Sequence, residues 1–267
     1  MEAQVGEAIR TCGISRDDIF VVSKYWGTHH GAPNDALEIS LKALGLDYVD
    51  LFLMHWPTSA SSDGSAQPYP GDPPYWQAWK NLEAVVGPKC RSIGICNVTQ
   101  KTLSRLLQDA DIVPAVAQVE LHPLNPCLRL LPYCQQHNIH VMAYSTLGSE
   151  RHGRAKNPVL TNAVIQEIAK AHGCSAAAVT LAWAVQRGAT VMPVTSNVDR
   201  LMENKRLPHL SSNDIERVNE IHLTSGTMRL ADITQGLLRE MPGKGTTILG
   251  WTPVDFGWED DDGTWLT

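Results

Sequence analysis

The chain has 267 residues, with 22 Lys+Arg against 28 Asp+Glu and a formal net charge of −6, a balance that excludes the basic footprint of a nucleic-acid or anionic-membrane binder. A hydrophobic share of 43% with 19% charged residues excludes an intrinsically disordered chain. The six cysteines form no C-x-x-C pair, which excludes a zinc ribbon or thioredoxin-like centre and predicts no metal site, with packed thiols in a reducing compartment.

Short apolar runs alternate with amphipathic stretches along the chain. A strand is expected at 19–23, a helix at 34–44 and a strand at 48–54. A helix at 75–86, a strand at 91–95, a helix at 102–109 and a strand at 115–121 follow. Then come a helix at 127–137, a strand at 140–145, helices at 162–172 and 176–187, and a strand at 190–195. Pro33 marks one helix start, and Gly45, Gly173 and Gly188 mark three ends. Strand and helix in this alternation mean parallel strands joined by crossovers. An open doubly wound sheet announces itself by G-x-G-x-x-G or G-x-x-x-x-G-K-[ST] after a strand, and Gly243-Lys244-Gly245 fits neither pattern. A closed (β/α)8 TIM barrel is therefore expected, with six strands in this chain where a full barrel has eight.

After about Thr224 the alternation gives way to a tail rich in Gly, Pro and Trp, ending in Glu259-Asp260-Asp261-Asp262. Trp251, Trp258 and Trp265 recur every seven residues, yet Gly250, Pro253, Gly257 and Gly263 argue against a helix, so an irregular loop lying across the body is expected. No apolar run approaches the roughly 18 residues that span a bilayer and no leader opens the chain, so a cytoplasmic location is expected.

In a parallel barrel the reacting groups come from the C-terminal ends of the strands. Lys24 follows the first expected strand and His55 the second, about one βα unit apart, which predicts that they share one rim. The segments Val5-Gly6-Glu7-Ala8-Ile9-Arg10, Val21-Val22-Ser23-Lys24-Tyr25-Trp26 and Leu53-Met54-His55-Trp56-Pro57 resemble the aldo-keto reductase family. So do Ile93-Gly94-Ile95-Cys96-Asn97, Gln118-Val119-Glu120-Leu121-His122-Pro123, Ala143-Tyr144-Ser145-Thr146-Leu147-Gly148 and the stretch from Val191-Met192-Pro193 to Asn204. The stretch Trp26-Gly27-Thr28-His29-His30 resembles some fungal members.

The resemblance implies a barrel over residues 1–223 with a variable C-terminal tail at 224–267. It implies reduction of a small-molecule aldehyde or ketone with NADPH, and with NAD as the alternative cofactor, by an Asp, Tyr, Lys, His tetrad. Lys24 matches the cation that tunes the tyrosine acid, and His55 the group that orients the substrate carbonyl as a neutral imidazole. Cys96, Asn97 and Gln118 match the carboxamide contacts and Tyr144 the ring that stacks on nicotinamide, while Ser145, Leu147 and Ser149 fall on the pyrophosphate loop. Thr195, Ser196 and Arg200 match the 2′-phosphate side of the adenosine, and Glu203 and Asn204 its adenine. Three departures stand out: Cys96 replaces Ser and weakens one hydrogen bond, Thr146 replaces Pro and loosens its loop, and Val194 replaces a Lys that faces the 2′-phosphate.

Plainer readings stand beside these roles. Asn97 and Gln118 are also strand-end caps, Tyr144 a core aromatic, Cys96 a packed thiol, and His29, His30 and His122 packing residues. The family's Asp and Tyr, with the first two strands, have no counterpart here, roughly 40 to 50 residues of a full barrel. The runs 19–23 and 190–195 would then be sheet edges that the tail covers. Three readings follow: a reductase whose start lies upstream or whose acid is another residue such as Tyr25, a catalytically silent nucleotide-binding relative, or a truncation without function. Nothing in the sequence indicates an oligomeric state.

Overall fold

Strands β1 to β6 are hydrogen-bonded in the order in which they occur along the chain, with parallel register in the β1–β2, β2–β3 and β5–β6 pairs. The computed structural model describes residues 1–148, 157–231, 238–241, 243, 245–260, 262 and 264–266, so Ser149 lies outside the described residues.

Residues 1–117 and 239–259 form one unit. It holds α1 (Glu2–Thr11), β1 (Val22–Tyr25), α2 (Pro33–Leu44), β2 (Leu51–Met54), α3 (Tyr75–Glu83), β3 (Ile93–Cys96) and α4 (Gln100–Leu107), and it opens β4 (Val116–Glu120). All four side chains of β2 are fully buried, as a central parallel strand covered on both faces requires. Gly94 is needed in β3 because a Cβ there would lie 2.6 Å from Val116 O and 2.6 Å from a Leu53 methyl.

Residues 118–238 and 260–267 form the second unit. After the end of β4 come α5 (Leu130–Gln136), β5 (His140–Tyr144), α6 (Ala163–His172), α7 (Ala176–Gln186), β6 (Ala189–Val191), α8 (Val198–Asn204), α9 (Ser212–Asn219) and α10 (Ile221–Ser225). The N-caps are local: Asn162 accepts from Val164 N and Ser175 from Ala178 N.

All six expected strands form, hydrogen-bonded in chain order as consecutive strands of the expected barrel are. Their ends move for identifiable reasons. Strand β1 begins at Val22 because Arg16–Asp18 forms a 3-10 turn that closes on Ile19, while Val21 N donates to the Asp50 carboxylate at 2.8 Å. At its other end β1 runs on to Tyr25, paired with Met54, so Lys24 lies inside β1 and not after it, a correction to the expected strand bounds. Strand β6 ends at Val191, short of 195, and Pro193 just beyond it has no N–H to extend a ladder.

The tail also departs from expectation. Strands β7 (Leu238–Met241) and β8 (Gly245–Ile248) pair with each other, and Pro253–Phe256 forms a single helical turn, α11. Pro253 occupies the first turn, Gly257 caps the end at φ 74, and Thr252 and Asp255 complete a capping box. The residues that exclude a long helix start and stop a short one. Trp251, Phe256 and Trp258 are buried: Trp251 packs on Tyr69 and Tyr75, Phe256 on Trp56, and Trp258 stacks on Phe256.

Candidate active site

Strand register places the first functional pair. Lys24 pairs with Leu53, and Leu53 with Gly94. Side chains alternate along a strand, so Lys24, Leu53, His55, Gly94 and Cys96 share one face, and Tyr25, Met54 and Ile95 the other. His55 N donates to Tyr25 O at 3.0 Å, which extends the β1–β2 ladder to the strand end. The imidazole meets the Trp26 ring edge-on at 5.2 Å. Burial and the charge of Lys24 push its pKa down to about 4, so the ring is neutral at physiological pH.

Tyr25 does not share that chemistry. It is 3% exposed, stacks on Phe52 with ring centroids 5.3 Å apart, and burial raises its pKa further. As the strand neighbour of Lys24 it faces the opposite way, which removes it as a substitute acid.

Asn97, just beyond β3, has φ 58, a left-handed conformation that Asn tolerates better than other side chains. That turn lets Asn97 Nδ2 donate to the His55 carbonyl at 2.8 Å. Cys96 is buried, and its pKa rises to about 12 against the pull of Lys24, so its thiol stays protonated and is no nucleophile. His30 is likewise a packing residue: fully buried, its Nδ1 lies 2.9 Å from Ser59 Oγ.

The second unit carries the remaining expected residues. Gln118, in β4, is 3% exposed, and among the described residues its side-chain hydrogen bond is a 3.7 Å contact to Met192 Sδ. Tyr144 ends β5 half-buried, and Ser145 turns the chain there at φ 53. The 145–148 turn is closed by Gly148 N donating to Ser145 O at 2.8 Å, and Asn157 Nδ2 holds the Leu147 carbonyl at 2.8 Å. Thr146 is buried with its hydroxyl 3.4 Å from Ala143 O, so this half of the loop is pinned where a looser one is expected. Thr195 Oγ1 accepts from Asn197 N, and Asn197 caps α8. Arg200, Glu203 and Asn204 lie on that helix, with Arg200 and Ser196 exposed.

One cluster escapes a reading of the sequence. Glu120 is 1% exposed at the end of β4 and accepts from the backbone N–H groups of Leu230 and Ala231. Leu124 N donates to His122 Nδ1 at 3.2 Å, so the other ring nitrogen carries the hydrogen and donates to Glu120 Oε1 at 3.0 Å. Arg229 Nε lies 3.2 Å from Glu120 Oε2. Burial opposes the charge on Glu120, but Arg229 and His122 hold its pKa down to about 2. The i, i+2 spacing of Gln118, Glu120 and His122 signals one face of a strand; nothing marks distant Arg229 as their partner.

Among the described residues no group of three or more His, Cys, Asp or Glu is placed to hold a metal, and no single helix is long and apolar enough to cross a membrane.

Lys24 near the end of β1 and His55 just after β2 stand on one face at the C-terminal ends of adjacent parallel strands, the place where α/β-barrel enzymes carry their reacting groups. Residues 1–223 match the model of the Aldo/keto reductase family. The chain is 34% identical over 253 residues to an aldehyde reductase of Saccharomyces cerevisiae, covering 88% of this chain and 80% of that protein. It is 37% identical over 247 residues to the glycerol 2-dehydrogenase (NADP(+)) of the same yeast, with coverage of 86% and 78%. The solved aldo-keto reductase of Bombyx mori in complex with NADP matches with a TM-score of 0.75 at 30% identity, over 82% of this chain and 74% of that one. The chain belongs to the aldo/keto reductase family.

Proposed function

We propose that the chain binds NADPH and reduces the carbonyl group of a small aldehyde or ketone. The observation that carries this reading is the shared face of Lys24 and His55 on adjacent parallel strands, with His55 held neutral. NADPH, when bound, supplies the hydride. The neutral His55 ring donates a hydrogen bond to the substrate oxygen and orients the carbonyl. Lys24 places a positive charge beside the oxygen as negative charge develops there, and the alkoxide left by hydride addition takes one proton from water to give the alcohol.

The residues present suit the cofactor. Gln118 offers a buried amide whose only hydrogen bond among the described residues is to sulfur, a fit for a carboxamide, and Tyr144 offers a half-buried ring. Exposed Arg200 and the hydroxyls of Thr195 and Ser196 suit a 2′-phosphate, which favours NADPH over NADH. We assign the chemistry to residues 1–223 and the trimming of the substrate entrance to 224–267, where Phe256 meets Trp56, the neighbour of His55.

A second reading, nucleotide binding without turnover, is favoured by the orientation of Tyr25 away from Lys24. Loss of reduced-nicotinamide absorbance with a panel of aldehydes and ketones, beside direct NADPH titration, separates the two. Turnover that Lys24→Met and His55→Ala abolish while NADPH still binds supports the reductase. Binding without turnover supports the second reading, and no NADPH binding overturns both.

A further inference from the structure

We propose that Trp26 is a positioning residue for His55, and that the turn after Trp26 is clamped to the loop after β2 so that the indole holds the imidazole in one pose. This inference rests on the reading of His55 as the group that orients the carbonyl. Trp26 follows β1 in extended backbone, at φ −93 and ψ 161, two residues after Lys24, so alternation puts it on the face that carries Lys24 and His55. The Trp26 and His55 rings meet at a centroid distance of 5.2 Å and an interplanar angle of 79°. Both residues are half-buried.

The backbone of His55 is fixed independently of its ring. His55 N donates to Tyr25 O at 3.0 Å and His55 O accepts from Asn97 Nδ2 at 2.8 Å, so the motion left to His55 is rotation of its side chain. The indole stands against that rotation because Trp26 is itself held. The 3-10 turn Gly27–His29 follows directly, with His29 N donating to Trp26 O at 3.0 Å. Gly27 O accepts from Ala60 N at 3.2 Å, and a Cβ on Gly27 would lie 2.3 Å from Thr58 O, so the two loops touch backbone to backbone. Buried His30 and Ser59 close the same seam, with Nδ1 2.9 Å from Oγ, and Ser59 Oγ donates to Pro73 O at 2.6 Å. Gly27 and His30 thus fasten the loop that carries Trp26 to the loop that begins with His55. A ring placed before the substrate arrives needs no ordering during the reaction.

The test uses the full chain with Trp26→Ala, Trp26→Phe and Gly27→Ala. The first removes the ring, the second keeps an aromatic face, and the third pushes the two loops apart while Trp26 stays. In [13C]histidine-labelled protein without cofactor, the ring carbon of His55 is identified by its loss in His55→Ala. Its titration midpoint is expected to rise in Trp26→Ala and Gly27→Ala by about one pH unit, a tenfold change in proton affinity, and to stay near about 4 in Trp26→Phe. With NADPH and 4-nitrobenzaldehyde, kcat is expected to fall about ten- to a hundredfold in Trp26→Ala and to return in Trp26→Phe, with KM for NADPH unchanged. A loss of stability alone moves neither readout, and melting curves check that each variant is folded. A His55 midpoint or a kcat unmoved by Trp26→Ala overturns the positioning role alone, and a midpoint unmoved by Gly27→Ala overturns the clamp. The titration needs no turnover: a wild-type chain that binds NADPH and reduces no carbonyl compound overturns the reductase reading, while a raised midpoint still assigns the pose of the imidazole to Trp26.

Discussion

Asn97 Nδ2 donates to the backbone carbonyl of His55 at 2.8 Å, so the residue after β3 holds the residue after β2. The bond exists because Asn97 adopts φ 58, a conformation that folds its side chain back toward the neighbouring strand.

Asn97→Ala removes the hydrogen bond and leaves a Cβ in the left-handed region. A loss of about 1–3 kcal/mol is expected in urea unfolding. Asn97→Gly removes the same bond without the backbone strain and is expected to cost less; an equal cost would show that the conformation carries no strain.

His55 and His30, each held near pKa 4 in the fold, return to about 6.5 when unfolded. The unfolded chain thus binds more protons, so stability is fully present above about pH 6.5 and is lost as the pH falls toward 4. The contribution of fully buried His30 is on the order of a few kcal/mol. Lys24→Met is expected to raise the His55 pKa, though not to its unfolded value, because burial remains. An NMR titration of the ring carbons reads this directly, and an unmoved His55 would separate the two groups.

Glu120 works in the opposite sense. Its folded pKa of about 2 lies below the ordinary 4.5, so its contribution is present above pH 4.5 and is lost as the pH falls toward 2. Glu120→Gln leaves Arg229 buried without its charge partner and is expected to cost about 3–5 kcal/mol at neutral pH. Parallel acid-denaturation curves for the two proteins would contradict this account.

Gly250 has φ 85, and a Cβ there would lie 2.2 Å from Gln67 O. Gly250→Ala is expected to lift the tail from the loop after β2, at about 1–3 kcal/mol. Adjacent Trp251, fully buried against Tyr69 and Tyr75, then becomes wetter, and its emission shifts to the red.

Arg200→Met removes the exposed guanidinium assigned to the 2′-phosphate. NADPH binding is expected to weaken about tenfold or more while NADH binding holds steady. An equal loss for both cofactors would move Arg200 away from that phosphate.

Periodicity alone made the six strands legible, because apolar β-branched runs between amphipathic stretches have few alternatives. Strand ends were less so: β1 starts late because the Asp50 carboxylate, 29 residues away, takes Val21 N. Lys24 and His55 stood out as polar residues at the ends of apolar runs, and the resemblance supplied their roles. The tail forms a helical turn where an irregular loop is expected because Pro253 and Gly257, which forbid a long helix, equally well bound a single turn.

The sequence by itself determined the alternation of strands and helices, the family resemblance, and the residue types proposed to meet a carbonyl and a nicotinamide cofactor, since each is carried by local pattern. Only the tertiary structure decided that Tyr25 turns away from Lys24, that His55 is held neutral, and that Arg229 pairs with Glu120. Facing, burial and charge pairing depend on neighbours far away in the chain, and no local pattern records them.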